Sequence, residues 1–375
     1  MADFQISKES SLPLHIQLLE ELRRTIMDGE FKPGDRLPGE WELVQSLDIS
    51  RATIQRAWQA AEKEGLIYRV AGKGTYVAQP QSGNENRTAI GFLIPEYHST
   101  FAVQMLGGAE GVLRKHGYSL MFAHTDRDIQ EENRLMEEMT ANGIRGFLMV
   151  PAKGPANGRF PAIAGPDIPI VLMDRPINGL LLPCITSNNY EGGRQAMQHL
   201  IDLGHRRIVF LARPHMDLWP VAERYRAYQD ALKAISIEPE PAFLIGTERE
   251  MSSREAYIQH DNEEIAPLLD LLQRPDRPTA IFAVNDWMAM RALYAASHLG
   301  LCVPDDLSIA GFDNLDIGEY INPPLTTVAQ EAALMGAEAA RRLLAIIEGQ
   351  LAQNIVTLLP THLIVRASTK GVISD

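Results

Sequence analysis

Residues 50–63 read SRATIQRAWQAAEK and residues 66–77 read LIYRVAGKGTYV, and these adjoining stretches decide the fold of the N-terminal part of the chain. Ser50 is a natural N-cap, and the apolar residues that follow it recur three, four and seven positions apart. We therefore predict a helix from Arg51 to Lys63. The second stretch alternates β-forming residues around a glycine-rich tip, which predicts a β-hairpin. A helix followed by a short hairpin is typical of a winged helix-turn-helix.

Two further helical patterns precede this pair. Leucine and isoleucine recur every fourth residue between Pro13 and Met27, which predicts a first helix over that range. After the break at Pro38-Gly39, a second helix is predicted from Glu40 to Ser46. Three helices and a hairpin make an α+β winged helix-turn-helix domain, which we assign to residues 1–78.

Polar residues with hydrogen-bond donors collect at the start of the third helix and at the tip of the hairpin. A helix N-terminus adds free amides and a positive dipole end, so this surface suits phosphate oxygens and base edges. The alternative is that these residues are only the solvated face of an amphipathic helix. The candidate DNA-binding residues are Arg36, Ser50, Arg51, Thr53, Gln55, Arg56, Gly72 and Lys73.

Four ordered motifs in this region resemble the GntR family of bacterial winged-helix regulators. They are Gly34-Asp35-Arg36-Leu37-Pro38, Ser50-Arg51-Ala52-Thr53-Ile54, Glu64-Gly65-Leu66 and Gly72-Lys73-Gly74-Thr75-Tyr76-Val77. The resemblance implies that Arg51, Thr53 and Gln55 face the operator and that Gly72 reaches the minor groove. The chain departs from the family pattern at Trp41, where the family commonly has an arginine, so one cationic contact to DNA is missing.

Composition and charge limit the classes of function. The chain has 375 residues, 45% of them hydrophobic, and a net charge of -13, which is ordinary for a soluble protein of two or three domains. The acidic and basic side chains are unevenly distributed, because residues 50–76 hold five basic and two acidic side chains. We expect a cytoplasmic protein without a membrane partner, since neither a membrane-spanning run nor a signal peptide is evident. Cys184 and Cys302 are expected to be small buried residues rather than redox or zinc ligands.

A polar segment separates the winged helix from a larger α/β part. Residues 79–87 contain no large apolar side chain and are predicted to be a linker. In residues 88–375, short apolar strands alternate with amphipathic helices, which calls for doubly wound parallel sheets, two of them at this length. We assign this range to one larger α/β domain.

Polar and aromatic residues follow the predicted strands of this domain. Because ligands bind at the carboxyl ends of parallel strands, these side chains are candidates for a ligand site. Carboxylates, amides, arginines and a few aromatic faces suit a small neutral polyhydroxylated molecule such as a sugar. Each could instead be an N-cap or a loop residue, and Phe101 or Trp219 could be plain core. The candidate effector-binding residues are Tyr97, His98, Phe101, Asp126, Asp174, Arg175, Asn188, Trp219, Arg224, Asn285, Asp286 and Asp313.

A second resemblance covers about residues 88–370 and is to the effector domains of the LacI family and the periplasmic sugar-binding proteins. It includes Asp174-Arg175-Pro176, Ala283-Val284-Asn285-Asp286, Ile309-Ala310-Gly311-Phe312-Asp313-Asn314 and Leu325-Thr326-Thr327-Val328. The resemblance implies a fold of two lobes, like type I periplasmic binding proteins. It also implies effector contacts from Asp174, Arg224, Asn285 or Asp286, and Asp313. Joined, the two parts look like the arabinose-repressor type of regulator, which implies that residues 88–375 are an effector-binding and dimerisation domain.

This architecture implies a homodimeric repressor that binds a palindromic operator, with half-sites about 34–36 Å or a multiple apart. A carbohydrate effector, such as the pentose arabinose, would close the two lobes and release DNA. No cofactor or metal is expected, and an enzyme is disfavoured because common catalytic motifs such as Gly-x-Ser-x-Gly and His-Glu-x-x-His are missing. Two alternatives stay open, namely the same architecture sensing a non-sugar metabolite and a sugar-binding protein without DNA regulation.

Overall fold

The chain divides into two compact units, Met1–Arg87 and Thr88–Asp375, in a computed structural model. The structure describes residues 4, 6–7, 12–63, 66–70, 73–78, 89–97, 100–152, 168–177, 179–246, 262–350 and 356–372. Within these ranges, no helix is both long enough and apolar enough to cross a membrane. Gly72, His98 and the predicted linker lie outside the described residues.

The N-terminal unit contains the predicted helices and hairpin. The helices are α1 (Leu14–Met27), α2 (Glu40–Leu47) and α3 (Arg51–Lys63), and the hairpin strands are β1 (Ile67–Val70) and β2 (Gly74–Val77). The two strands are antiparallel, with Ile67 opposite Val77. The helix α3 begins where predicted because the Ser50 hydroxyl oxygen accepts a hydrogen bond of 3.1 Å from the Thr53 amide.

The core of this unit lies between the three helices. Trp58 is fully buried and packs in one apolar cluster with Leu18, Leu22 and Ile54. The helical spacing of these residues in α1 and α3 places them on facing sides, so burying one stripe from each helix closes the core. A bridge between Arg36 and Tyr76 joins the loop before α2 to the hairpin.

The larger unit begins with a lobe built on a six-stranded parallel sheet of order β13-β7-β6-β5-β3-β4. Its strands are β3 (Ala89–Ile94), β4 (Ser119–His124), β5 (Phe147–Met149), β6 (Ile170–Met173), β7 (Cys184–Ser187) and β13 (Val356–Leu359). The helices of this lobe are α4 (Thr100–Lys115), α5 (Ile129–Ala141) and α11 (Ala332–Ile347). The four central strands β3, β5, β6 and β7 are buried on both faces, as parallel strands between helices must be, whereas the edge strands β4 and β13 are partly exposed.

The second lobe has a six-stranded sheet of order β14-β12-β11-β10-β8-β9, parallel except for β14. Its strands are β8 (Ile208–Ala212), β9 (Phe243–Leu244), β10 (Ala280–Ala283), β11 (Ser308–Asp313), β12 (Thr326–Gln330) and β14 (Thr361–Ile364). The helices of this lobe are α6 (Asn189–Asp202), α7 (Trp219–Ala234), α8 (Asn262–Gln273), α9 (Asp286–His298) and α10 (Ile317–Tyr320). The prediction of two doubly wound lobes is confirmed.

The chain passes between the lobes after β7, after β12 and between β13 and β14, so the two lobes interleave in sequence. Each lobe has its own apolar core. One detail departs from expectation: Cys184 is buried, whereas Cys302 is exposed. Cys302 lies in the loop after α9, where its amide donates a hydrogen bond to Asp306 rather than packing into a core.

Candidate functional site

The N-terminal unit presents polar side chains at the start of α3. Arg51 is exposed, and its Nε donates a hydrogen bond of 2.8 Å to Glu40 Oε2. Gln55 Nε2 lies 3.3 Å from the same oxygen. The Arg51 hydrogen bond is the main reason that the pKa of Glu40 lies below its usual value. Glu40 therefore holds two of the candidate DNA-binding side chains together at the N-terminal end of α3.

The remaining candidates of this unit lie around α3 and the hairpin. Ser50 and Thr53 are hydrogen-bonded to each other through their hydroxyls at 2.8 Å, while Arg56 and Lys73 are exposed. Gly74 has φ +125°, and a Cβ built on it would lie 2.8 Å from Nε of Arg36, so the hairpin tolerates only glycine beside that guanidinium.

Trp41, the departure from the family pattern, is one of the most exposed aromatic side chains described. Its exposed fraction is 69%, at the second residue of α2. Burying a tryptophan side chain away from water is favourable, so an indole this exposed, on the helix that precedes the candidate DNA-binding residues of α3, is a surface open to a partner.

The larger unit has a cleft of about 170 Å³ lined by both lobes. The first lobe contributes side chains that follow β3, β4 and β6, and the second contributes side chains that follow β8, β10 and β11. Strand ends meet here because both sheets direct their carboxyl edges toward the cleft. Of the candidate effector-binding residues, the lining includes Phe101, Asp174, Arg175, Arg224, Asn285 and Asp313.

Arg224 is the buried centre of the second lobe's side of the cleft. Its Nε donates to Asn189 Oδ1 at 2.8 Å, and its Nη1 donates to the Val284 carbonyl at 2.7 Å. The guanidinium carbon also lies 3.6 Å from the centroid of the Phe312 ring. Three fixed contacts leave this long side chain little rotational freedom, so its remaining donor edge is aimed before any ligand arrives.

Asp313 lies opposite Arg224. Its Oδ1 is 3.6 Å from Arg224 Nη1 and accepts a hydrogen bond of 2.7 Å from Gln330 Nε2. Burial raises the pKa of Asp313 to about 6, although Arg224 and Gln330 favour the charged form. Gln330 Oε1 is buried and has no hydrogen-bond partner among the described residues, so the cleft retains an acceptor for a ligand hydroxyl.

The first lobe's side carries two further arginines with acidic neighbours. Arg175 is buried, donates to the Pro151 carbonyl at 3.0 Å and lies 3.9 Å from the Asp174 carboxylate. Arg127 Nη2 lies 2.5 Å from Glu96 Oε1. Asp174 adopts φ +65°, a left-handed backbone that is unusual for a residue with a side chain and is found at ligand sites.

Two candidates at the starts of helices have structural partners. Asn188 Oδ1 caps α6 by accepting from the Glu191 amide at 3.2 Å, and it does not line the cleft. Asp286 is fully buried behind the cleft, where its carboxylate accepts from Thr327 Oγ1 at 2.5 Å and from the Leu315 amide at 2.7 Å. Burial is the main cause that raises the pKa of Asp286 to about 7.

The structure does not bring the other candidates into the cleft lining. Tyr97 is exposed and contacts the His124 ring at 4.8 Å between centroids, and the exposed Asp126 lies 3.7 Å from His124 Nε2. Trp219 is half-buried at the start of α7. His98 lies outside the described residues.

Comparison with known proteins agrees with this two-part organisation. The family model for bacterial regulatory proteins of the gntR family matches residues 15–77, and the model for a periplasmic binding protein-like domain matches residues 197–369. The arabinose metabolism transcriptional repressor of Geobacillus stearothermophilus is 31% identical over 97% of this chain and 100% of its own length. The chain belongs to the GntR family of transcriptional regulators, in the group with a periplasmic-binding-protein-like domain.

Other transcriptional regulators are similar to this GntR-family regulator over most of the chain. The HTH-type transcriptional repressor CytR of Escherichia coli K12 is 29% identical over 88% of this chain and 91% of its own length. The solved structure of the transcriptional regulator CelR in complex with cellobiose is 27% identical, with a TM-score of 0.64 over 87% of this chain and 93% of that one. The lac repressor dimer bound to operator, at 23% identity and a TM-score of 0.65, shares the fold.

These comparisons establish this GntR-family regulator as a transcriptional repressor with a LacI-like ligand-binding domain, and not as an enzyme. Both resemblances drawn from its motifs are confirmed. Which side chains contact the effector remains a prediction. The lining of the cleft reduces the number of candidate residues.

Sequence reasoning missed four polar or aromatic side chains that line the cleft: Glu96, Arg127, Trp287 and Gln330. Glu96, Arg127 and Trp287 lie one position from a residue that the strand-end argument had selected, so the signal was present but assigned to the neighbour. Gln330 ends β12, a strand whose apolar pattern is too short to be recognised, and only the family motif at residues 325–328 pointed to that region.

Proposed function

We propose that this repressor binds a palindromic operator as a homodimer through its winged helix and is released by a small neutral carbohydrate, with a pentose such as arabinose as the first choice. The observation that carries the proposal is the charge balance of the cleft. Its lining combines the acids Glu96, Asp174 and Asp313 with the arginines Arg127, Arg175 and Arg224.

Three carboxylates facing three guanidiniums leave no net charge among the described lining residues. A charged ligand would be repelled by half of these groups, whereas a sugar hydroxyl can donate to a carboxylate and accept from a guanidinium at once. Phe101 and Trp287 add apolar surface on which a sugar ring can pack. A volume of about 170 Å³ favours one sugar ring in this cleft.

The choice of arabinose rests on similarity. The arabinose metabolism repressor is 31% identical over 97% of this chain, whereas CytR covers 88% of it at 29% identity and the cellobiose complex of CelR covers 87% of it at 27% identity. Pentoses and disaccharides are therefore the first compounds to compare.

The mechanism follows from the division of the cleft between the lobes. A ligand that contacts Asp174 from the first lobe and Arg224 with Asp313 from the second stabilises the closed arrangement of the two lobes. Release of DNA then requires that the closed form has lower operator affinity, because an effector shifts an equilibrium only by its differential affinity. In a dimer, closure would change the spacing of two winged helices relative to half-sites about 34–36 Å apart.

Operator binding by this domain is supported by the exposed cations around α3 and the hairpin, Arg51, Arg56 and Lys73, and by the positive dipole end of α3 beside Arg51. Operator binding should therefore weaken steeply with salt.

The test is a thermal-shift screen of the purified full-length protein against pentoses, hexoses, uronates, disaccharides and nucleosides. A ligand at 100 times its Kd stabilises the folded protein by about 2.7 kcal/mol, which raises the Tm by several degrees. We expect a selective pentose hit that also releases the protein from its own upstream DNA. Stabilisation by a non-sugar metabolite alone would overturn the carbohydrate assignment, and failure to bind that DNA under any condition would overturn the repressor mechanism.

A further inference from the structure

Glu40, the first residue of α2, directs its carboxylate to side chains of α3. The N-terminus of α2 is capped by Glu42, whose Oε2 accepts a hydrogen bond of 2.8 Å from the Gly39 amide. Glu40 Oε2 accepts hydrogen bonds from Arg51 Nε at 2.8 Å and from Gln55 Nε2 at 3.3 Å. One carboxylate oxygen therefore holds two side chains that lie about one turn apart on α3.

The apolar core, rather than Glu40, holds α2 against α3. Leu43 of α2 and Ile54 of α3 are buried in one apolar cluster, which joins the two helices. The side chain of Arg51 is 60% exposed, and ion pairs of such exposed groups contribute little to the free energy of unfolding. The main effect of the Glu40 carboxylate is therefore on the orientation of the side chains that it binds.

Glu40 fixes which edge of the Arg51 guanidinium is presented outward. A guanidinium is planar, and when its Nε is bound, the Nη1 and Nη2 groups form the remaining pair of donors. In the major groove, O6 and N7 of guanine are the two acceptors that fit this pair. Because the side chain is mostly exposed, the donor pair of Arg51 is accessible to a base.

Glu40 also fixes the orientation of the Gln55 amide. A carboxylate repels the amide oxygen and attracts the amide nitrogen, so Nε2 faces Glu40. One hydrogen of Nε2 is donated to the carboxylate, which leaves the other hydrogen beside the acceptor Oε1. A donor next to an acceptor is the pattern that matches N7 and the N6 amino group of adenine.

A carboxylate has a cost on a surface that binds DNA, because it repels phosphate oxygens. The hydrogen bond from Arg51 keeps the pKa of Glu40 below its usual value, so this group is charged at neutral pH. Such a charge lowers the affinity for every duplex, and its benefit lies in discrimination between sequences. The position of Glu40 is therefore suited to specificity rather than to affinity.

We propose that Glu40 is a positioning residue for base recognition, which presents Arg51 to a guanine and Gln55 to an adenine in each operator half-site. This inference rests on the proposed operator-binding function and adds two bases that the operator contains. Residues four positions apart on a helix have Cβ atoms about 5–6 Å apart, and successive bases of one strand lie about 3.4 Å apart. The guanine and the adenine are therefore expected one or two base pairs apart.

The two bases are tested by selection from a library of randomised DNA duplexes with the full-length protein. The wild type should enrich a half-site with a guanine and an adenine at this spacing. Fluorescence anisotropy then measures the loss of affinity when each base is replaced. For the wild type, replacing the guanine should lower affinity at least tenfold, because a bidentate contact is lost.

The positioning role is tested with Glu40→Ala. In this variant, replacing the guanine should lower affinity less than threefold, whereas affinity for an unrelated duplex should stay equal or rise. A purely structural role of Glu40 would instead lower both the Tm and the affinity for every duplex. In an Arg51→Ala background, Glu40→Ala should not change discrimination at the guanine, since the residue through which it acts is absent.

The matched control is Glu62→Ala, which removes another acid of this unit, one whose carboxylate lies 3.6 Å from Arg69 Nε. It should leave discrimination at both bases unchanged. Glu40→Gln keeps a neutral acceptor for Arg51 Nε and should retain part of the wild-type discrimination. Gln55→Ala should relax recognition of the adenine and preserve recognition of the guanine.

Full discrimination at the guanine by a folded Glu40→Ala protein would overturn the inference. The selection with wild-type protein needs no variant, so it decides the base assignment even if Glu40→Ala is unstable. A selected half-site that lacks the guanine and the adenine would refute this inference and leave the operator-binding function intact. If the wild type enriches no sequence, the proposed operator binding fails together with the inference.

Discussion

Nη1 of Arg224 lies 3.6 Å from Oδ1 of Asp313, and both side chains come from the second lobe of the cleft. The arginine is fixed by Asn189 and the Val284 carbonyl, and the aspartate is fixed by Gln330. Because neither group depends on the other to hold its orientation, the pair is available to share a ligand hydroxyl. Such preorganisation lowers the entropic cost of binding.

The first prediction concerns this pair. Asp313→Ala should abolish the response to the effector while sparing operator binding, because it removes a buried acceptor of the cleft and changes nothing in the winged helix. Loss of a hydrogen bond to a charged group is worth about 1.5–3 kcal/mol, or about ten- to a hundredfold in effector affinity. Titration calorimetry with the compound found by thermal shift measures this loss of effector affinity. Asp316→Ala, at an exposed position nearby, is the control, and full inducibility of Asp313→Ala would refute the site assignment.

The second prediction is the converse. Arg51→Ala should weaken operator binding by about tenfold or more, because a charge-assisted contact at the start of α3 is lost, and it should leave effector binding unchanged. Fluorescence anisotropy with the upstream DNA and a thermal shift with the effector report the two functions separately. Arg24→Ala removes an exposed arginine from α1 and provides the control for loss of charge. Equal loss of affinity in both variants would show that Arg51 contributes only general electrostatics.

A third prediction addresses Trp41, where the family commonly has an arginine. Trp41→Arg should strengthen DNA binding and make the slope of log K against log salt steeper by about 0.9, the value for one more neutralised phosphate. The exposed position of Trp41 on α2 allows this exchange without disturbing the core. Anisotropy titrations at several salt concentrations measure the slope. An unchanged slope would place Trp41 outside the DNA-facing surface, and weaker binding at constant slope would show that the indole itself contacts DNA.

The winged helix was predictable because its signals are local. Ser50 caps α3 from within the same segment, and the apolar spacing around Trp58 is that of an amphipathic helix. The strands β13 and β14 were not predictable in this way. They are four residues each, separated only by Pro360, yet they belong to different sheets. Their partners are distant in sequence, so only the tertiary fold assigns them.

The same limit applies within the cleft. The positions of the strand ends led to Asp174 and Asp313, which do line the cleft. Which of two adjacent residues faces the cleft depends on backbone angles that the sequence does not reveal. Asp126 and Arg127 both have positive φ, 48° and 62°, and the turn directs Arg127 rather than Asp126 to the cleft. Asp286 binds Thr327, 41 residues away, a partner that no local pattern indicates.

A fourth prediction concerns the close contact of α4 with α11. A Cβ on Gly336 would lie 1.9 Å from the Met105 carbonyl oxygen, so Gly336→Ala must force the two backbones apart. Overpacking of this kind costs about 1–3 kcal/mol or more, and the Tm should fall by several degrees. Gly111→Ala is the matched control within α4, because the space that its new methyl group would occupy has no atom within 4 Å and helical propensity favours alanine by up to about 1 kcal/mol. Calorimetry measures the Tm of both variants, and an unchanged Tm for Gly336→Ala would contradict this close contact between α4 and α11.

The last prediction uses the titration of Asp286. Burial raises its pKa to about 7 in the folded protein, against an ordinary value near 3.9 when unfolded. Between these values the folded state holds a proton that the unfolded state has lost, so this group lowers the free energy of unfolding by about 1.4 kcal/mol per unit as pH rises. Asp286→Asn cannot titrate, and its stability relative to wild type should therefore improve steadily from pH 5 to pH 7 and level off above pH 8. Urea unfolding at each pH measures the difference, with the exposed Asp316→Asn as a control that should show no such trend. A constant difference between Asp286→Asn and wild type across this range would mean that the carboxylate is charged throughout, held by Thr327 and the Leu315 amide despite its burial.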